Sequence, residues 1–434
     1  MKKYVLSLIL LIAGSAVVMA QSETTSFDVD GVKVIFKPTQ KNIINVRMYY
    51  RAGVSNYPAS KAGIESFAIE ATTQCGTKKY SGNEFKDIAD KYSILISGSS
   101  VQDYGFIQLN CMGKYFNNAW DLFTEAVMNP TFNENEVQLL KNKLITRTKG
   151  FQSSPDTHLN QLIVQNGFDG TAYATDPDGT EESLNALTAD DLKSYYNTIL
   201  NKNAIFLVVV GKIDKEELIS KVRASFAAMP ARPYTPVVYQ LPAFNDNKLL
   251  VEKRDLSTNY IGAIMNSPRF TSADFVPFRM GIGVFSGLLF RQLRTNLHLS
   301  YSQGAHVEMK QMPYAEMHVS TTKPKEAVNA MTALLKKVKS VVFNERGLEE
   351  MKGGFITSNY IRQQSSAALA GNLGNAEILG GWEYEENLPA MIDKVTAEDI
   401  NRALNKYIIG LRWSYLGNQA LADDAADAFK QPIN

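Results

Sequence analysis

At 434 residues the chain exceeds what one hydrophobic core ordinarily serves, so two or more domains are expected. Apolar residues make up 45% and charged residues 21%, a balance that excludes an intrinsically disordered chain. Its 45 basic and 44 acidic residues nearly cancel, leaving no basic footprint for nucleic acid or an anionic membrane surface.

The first twenty residues stand apart. Lys2 and Lys3 precede an apolar stretch over 5–12 and 16–19, and Val18-Met19-Ala20 supplies small residues before Gln21. That is the pattern of a secretory signal peptide over 1–20, too short for a comfortable membrane span and with no stop-transfer pattern behind it. A retained anchor is the weaker alternative, and no cysteine marks a lipid-attachment point. Export is expected, to the periplasm in a Gram-negative bacterium, with no stable membrane insertion once the signal is gone. The mature chain then carries 43 basic against 44 acidic residues, a net charge of −1. Cys75 and Cys111 are the only cysteines, and both a disulfide and two buried thiols are open to them.

Residues 26–29 and 32–36 alternate around Asp30-Gly31, a hairpin signature, and Pro38 ends the second strand. A third strand is expected over 43–50. Ile64, Phe67, Ala68 and Ala71 then form one apolar stripe at helical spacing, with Gly76 placed to cap the helix C-terminus. Strands and amphipathic helices continue to the apolar run ending at Gly211. Pro230, Pro233, Pro236 and Pro242 follow, a density that opposes both helix and sheet and marks an extended linker over 229–247.

Beyond the linker the chain repeats itself. The segment around Thr188 returns 208 residues later around Thr396, Gly211 has a counterpart at Gly417, and Phe132-Asn133-Glu134 recurs as Phe343-Asn344-Glu345. The Thr188 and Thr396 segments each present an N-cap that opens a helix leading to a strand. Two homologous α+β domains are therefore expected, 21–228 and 248–434.

Several local stretches carry a resemblance: Gly63-Ile64-Glu65-Ser66-Phe67, Gly76-Thr77-Lys78-Lys79, Phe132-Asn133-Glu134-Asn135-Glu136, and Leu289-Phe290-Arg291-Gln292-Leu293-Arg294 running on to Ser300-Tyr301-Ser302. Together they resemble the pitrilysin/insulinase family of zinc peptidases over essentially the whole mature chain. The resemblance implies a clam shell of two α+β domains, each with a mostly antiparallel sheet flanked by helices. Active members carry His-x-x-Glu-His on the first helix, two imidazoles for one zinc ion and a glutamate as general base, with a further glutamate ligand roughly 75 residues on.

Here that motif is absent. Depending on register its positions hold Ser66, Ile69 and Glu70, or Phe67, Glu70 and Ala71, and the first histidine of the chain is His158. Residues 137–155 contain no acidic residue, and Lys143 stands near the place of the missing ligand. Without imidazoles or carboxylate no zinc is held there and no water activated. Glu70 reads as a solvated or capping carboxylate on the helix's polar face. His158, His298, His306 and His318 share no i, i+3 or i, i+4 spacing, so surface or packing roles are expected and no metal is assigned to the chain.

Arg294 and Tyr301, seven residues apart, match the pair with which active relatives hold substrate peptide and polarise its carbonyl. The loop 295–299 lacks the family's glycine and basic residues. In two-chain members one subunit bears the zinc motif and the other this pair. The resemblance thus implies a non-catalytic subunit of a heterodimeric peptidase, inactive by itself, with zinc in a His-x-x-Glu-His sister. An extended peptide would add to a strand edge, the candidate being residues 94–101. The alternative is a non-proteolytic scaffold or peptide-binding protein, as in the respiratory complex III core subunits that share this ancestry.

Overall fold

The computed structural model describes residues 23–341 and 343–433, so the signal-peptide reading of 1–20 lies outside the described residues. Strand β1 (Thr25–Val29) turns into β2 (Val32–Pro38) through Asp30 and Gly31, both at positive φ, with the Gly31 amide donating to Asp28. Such a turn matches the right-handed twist of the strands it joins. With β3 (Ile43–Tyr50), β4 (Leu95–Ser100), β5 (Gly105–Met112) and β6 (Ile205–Gly211) they form a six-stranded sheet ordered β1-β2-β6-β3-β5-β4. Only β2 and β6 run parallel.

The second half repeats this plan with β7 (Lys248–Lys253), β8 (Asn259–Asn266), β9 (Gln303–Glu308), β10 (Tyr314–Thr321) and β11 (Arg412–Gly417), ordered β7-β11-β8-β10-β9. Again one pair, β7 and β11, is parallel. Thr188 and Thr396 each build a full capping box with the aspartate three residues on, opening helices Ala189–Ile199 and Ala397–Tyr407. Those helices lead into β6 and β11. Asn133 and Asn344 likewise cap the long helices Glu134–Ser153 and Glu345–Arg362. The internal repeat is thus a repeat of structure.

Residues 230–242 contain neither helix nor strand, yet this segment is docked. The Arg232 amide donates to Asn201 (2.8 Å), the Tyr239 hydroxyl to Ser55 (2.9 Å), and Phe244 is buried in the first half's core.

The halves interlock reciprocally. Helix Pro155–Phe168 of the first half lies across the second sheet, where Asn166 donates to the Trp413 carbonyl at 2.9 Å. Helix Ser366–Leu379 of the second half lies across the first sheet, where Arg47 donates to the Ala367 carbonyl at 3.1 Å and Tyr49 to that of Ala370 at 3.2 Å. Glu377 pairs with both Lys33 (2.8 Å) and Arg51 (2.5 Å), so ionic contacts fasten the same seam.

Cys75 and Cys111 are both free and buried. Burial pushes each thiol up to about 12, which leaves almost no thiolate at neutral pH. A disulfide-exchange reagent at pH 8 should therefore label neither cysteine in the native protein and both in urea; rapid native labelling, followed by absorbance, would contradict this burial.

Candidate functional site

Helix Ile64–Gln74 opens behind Gly63 at φ 86 and packs tightly on β4. The approach depends on Gly98, where a Cβ would come within 2.4 Å of the Ile69 carbonyl oxygen. Phe67 and Ala71 belong to the first core, and Ser66 and Ile69 are buried as well. Glu70 is not solvated as its sequence context suggests: only 7% of it is exposed. The cause is the neighbouring helix Glu134–Ser153, whose Arg147 places Nη1 3.0 Å from one Glu70 oxygen, while Gln74 donates to the other at 2.7 Å.

Lys143, the residue expected near the missing ligand, stands off at 3.9 Å with its side chain 63% exposed. Arg147, one turn further, makes the close contact and also reaches Asp178 at 3.1 Å. Sequence reasoning passed over it because the expected ligand position was known only to within a turn. A guanidinium and an ammonium thus converge on the Glu70 carboxylate, and the closer of them occupies it. Glu65, on the same helix, is wholly buried and accepts hydrogen bonds from the Gly53 amide (2.8 Å), Ser100 (2.8 Å) and Tyr195, tying the segment after β3 to the helix. Burial raises its pKa.

Strand β4 pairs with β5 on one side and with no strand on the other among the described residues. The segment expected over 94–101 to receive peptide thus contains β4, one of the two edges of the first sheet, with Leu95 exposed.

In the second half, helix Phe275–Leu289 runs on into a wider π-helical turn, Phe290–Asn296, anchored by the buried Leu293. Arg294 projects from that turn and Tyr301 lies just past it. The guanidinium sits 5.5 Å from the centre of the Tyr301 ring and 5.4 Å from that of Phe290, and donates weakly to the Tyr301 carbonyl at 3.4 Å. Tyr301 is 86% exposed. The structure brings these two together on the surface; no hydrogen bond or ion pair among the described residues links them to Glu70.

A cavity of about 350 Å³ opens between the halves, lined by Gln161, Asp176, Asp178, His306, Glu308 and Glu316 among others. Burial pushes the Asp176 carboxyl up to about 6 and that of Glu316 up to about 7, whereas the His306 hydrogen bond holds Glu308 down at about 2. No helical spacing could have announced this group, because its members come from different elements and from both halves.

Comparison with known proteins places the chain. The model for insulinase (peptidase family M16) matches residues 33–179, and that for the peptidase M16 inactive domain matches residues 186–354. A protein of Helicobacter pylori described as "Non-peptidase homolog YmxG" is 19% identical over 413 residues, covering 92% of this chain and 94% of its own. Among solved structures, a protease from Helicobacter pylori superposes with a TM-score of 0.83 at 17% identity, covering 91% of this chain and 99% of that one. The periplasmic protease PqqL of Escherichia coli gives 0.77 at 15% identity over 91% of this chain and 45% of its own. No helix among the described residues is long and apolar enough to cross a membrane. Two consecutive matches to one family and a fold shared over about nine-tenths of the chain lead to a single assignment: the chain belongs to the insulinase family of peptidases, M16, as an inactive homologue whose motif positions lack the zinc ligands.

Proposed function

We propose that this chain is the non-catalytic subunit of an exported two-chain zinc peptidase, lending Arg294 and Tyr301 to an active site whose zinc resides in a sister subunit bearing His-x-x-Glu-His. The reading is carried by one contrast. Arg147 neutralises Glu70 at the lost motif, while Arg294 and Tyr301 stay stacked and exposed, ready to meet something outside the chain. An arginine fork and a phenolic hydroxyl are donors suited to a peptide carbonyl as charge develops on it. The free edge of β4 would receive the extended substrate by strand addition. The periplasmic relative supports an exported setting.

The test is to purify the mature chain alone and together with a sister subunit of the same family that carries the motif, and to follow a quenched peptide with and without chelator. Cleavage is expected only from the mixture, and chelator should abolish it. Chelator-sensitive cleavage by this chain alone would overturn the proposal. The description of the Helicobacter pylori relative as a non-peptidase favours a second reading, a peptide-binding scaffold, for which no mixture would turn over while peptide still bound.

A further inference from the structure

We propose that His306, Glu316 and His318 form a divalent-metal site of the zinc class on the second sheet, open to the cavity between the halves. Strand pairing assembles it. In the antiparallel ladder of β9 and β10, His306 stands directly opposite Glu316, and His318 opposite Gly304. Alternation along a strand sends all three side chains to the same face. One ligand atom from each lies within 4.8 Å of the other two, and His318 Nδ1 is 3.8 Å from Glu316 Oε1.

Two imidazoles and one carboxylate form a donor set that zinc takes with three protein ligands, leaving a fourth position for water or another ligand. Ligand bonds of about 2.0–2.2 Å put tetrahedral donors roughly 3.5 Å apart, so the cluster must close by about 1 Å to grip an ion. The rings have room to do so. Gly304 presents no side chain beneath His318, where a Cβ would lie 3.3 Å from Cε1, and both histidine side chains are at least a third exposed.

Two further observations point to a cation. Glu316 is 5% exposed, and among the described residues no hydrogen bond reaches its carboxylate. A carboxylate this enclosed, facing the cavity with no protein donor, is a ready acceptor for a cation. Behind His306, Glu308 Oε1 lies 3.0 Å from Nε2, the arrangement in which a carboxylate fixes one ring nitrogen as the donor N–H and leaves the other with its lone pair free. The Lys310 ammonium is paired with Glu308 at 3.6 Å and donates to Gln102. The site departs from the metal-free expectation drawn from histidine spacing, because its ligands meet across a hairpin rather than along a helix. It lies in the other half from the lost motif and does not depend on the proposed partnership.

The experiment uses the tag-free mature chain, titrated with ZnCl₂ by calorimetry and with CoCl₂ by visible absorption, with melting followed in parallel. One ion per chain is expected, with a rise in melting temperature as the folded state is loaded. His306→Ala and His318→Ala should each weaken binding at least about 10-fold and Glu308→Gln by about 10-fold, the scale of ligand and supporting-shell losses. His158→Gln and His298→Gln should leave binding unchanged. Metal-free melting and circular dichroism report whether a variant still folds, so a failed fold is not mistaken for a lost site. Absence of stoichiometric binding, or binding that survives the His306→Ala/His318→Ala double substitution, would overturn the site. Metal bound here by a chain that cleaves nothing supports the site and leaves the proposed function standing. Peptide cleavage by the isolated chain that disappears with His318→Ala would support the site and refute the proposed function.

Discussion

Tyr301→Phe in the assembled complex is expected to lower peptide turnover about 100-fold, the scale on which one oxyanion donor acts. The substitution keeps the ring, and with it the 5.5 Å stacking of Arg294, so it removes one hydrogen-bond donor and little else. Because Tyr301 is almost wholly exposed, its hydroxyl contributes nothing to the core, and melting and assembly should be unaffected. Arg294→Ala removes the charge and the stack together. An exposed cation–π contact is worth only about 0.5–1 kcal/mol, so its loss costs little stability. The effect should appear mainly in KM if the guanidinium holds substrate throughout, and in kcat if it meets charge that arises only in the transition state. Arg294→Lys keeps the charge without the planar fork and should recover only part of the activity. Steady-state kinetics on complexes shown by size-exclusion to be fully assembled decides the matter. Unchanged turnover in both Tyr301→Phe and Arg294→Ala would remove the two residues from the reaction.

Local signals carried much of the architecture. The Asp30-Gly31 hairpin, the helix over the Ile64 stripe and the paired caps at Thr188 and Thr396 are written in residues two to four apart, and the structure repeats them. What eluded the sequence depends on how one element meets another. Whether Lys143 or Arg147 reaches Glu70 turns on the tilt between two helices, since residues four apart share a face and differ only in position along it. Glu70 looks solvated because the helix that covers it lies more than 60 residues downstream. His306, Glu316 and His318 are invisible to a search at helical spacing because the register of β9 on β10, set by the hairpin between them, is what joins them. Absence of the zinc motif, by contrast, needs no geometry: a chain with no histidine before His158 cannot present one on its first helix.

Gly374→Ala is expected to destabilise the closed arrangement of the halves by about 2 kcal/mol, and Gly374→Leu by more, although Gly374 lies inside a helix where alanine alone would gain about 1 kcal/mol. A Cβ at 374 would sit 2.1 Å from Tyr49 Cζ and 2.2 Å from Cε2. The ring cannot step aside: it is fully buried, stacked on Phe206 with centres 4.8 Å apart, and held through its hydroxyl to Ala370. The helix or the sheet must move instead, which opens the seam between the halves. Gly167 is the built-in comparison. It occupies the corresponding place, 207 residues earlier, on the reciprocal helix Pro155–Phe168, but a Cβ there meets Cδ1 of Ile264, the far end of a flexible side chain. Gly167→Ala should therefore cost less, because one methyl can rotate away where an anchored aromatic ring cannot. Urea unfolding gives both free energies, and a cycle with Tyr49→Ala isolates the contact. If the clash is the cause, the double variant is more stable than the sum of the single changes implies, with a coupling above about 1 kcal/mol. Simple additivity would mean that the glycine serves the helix and not the crossing.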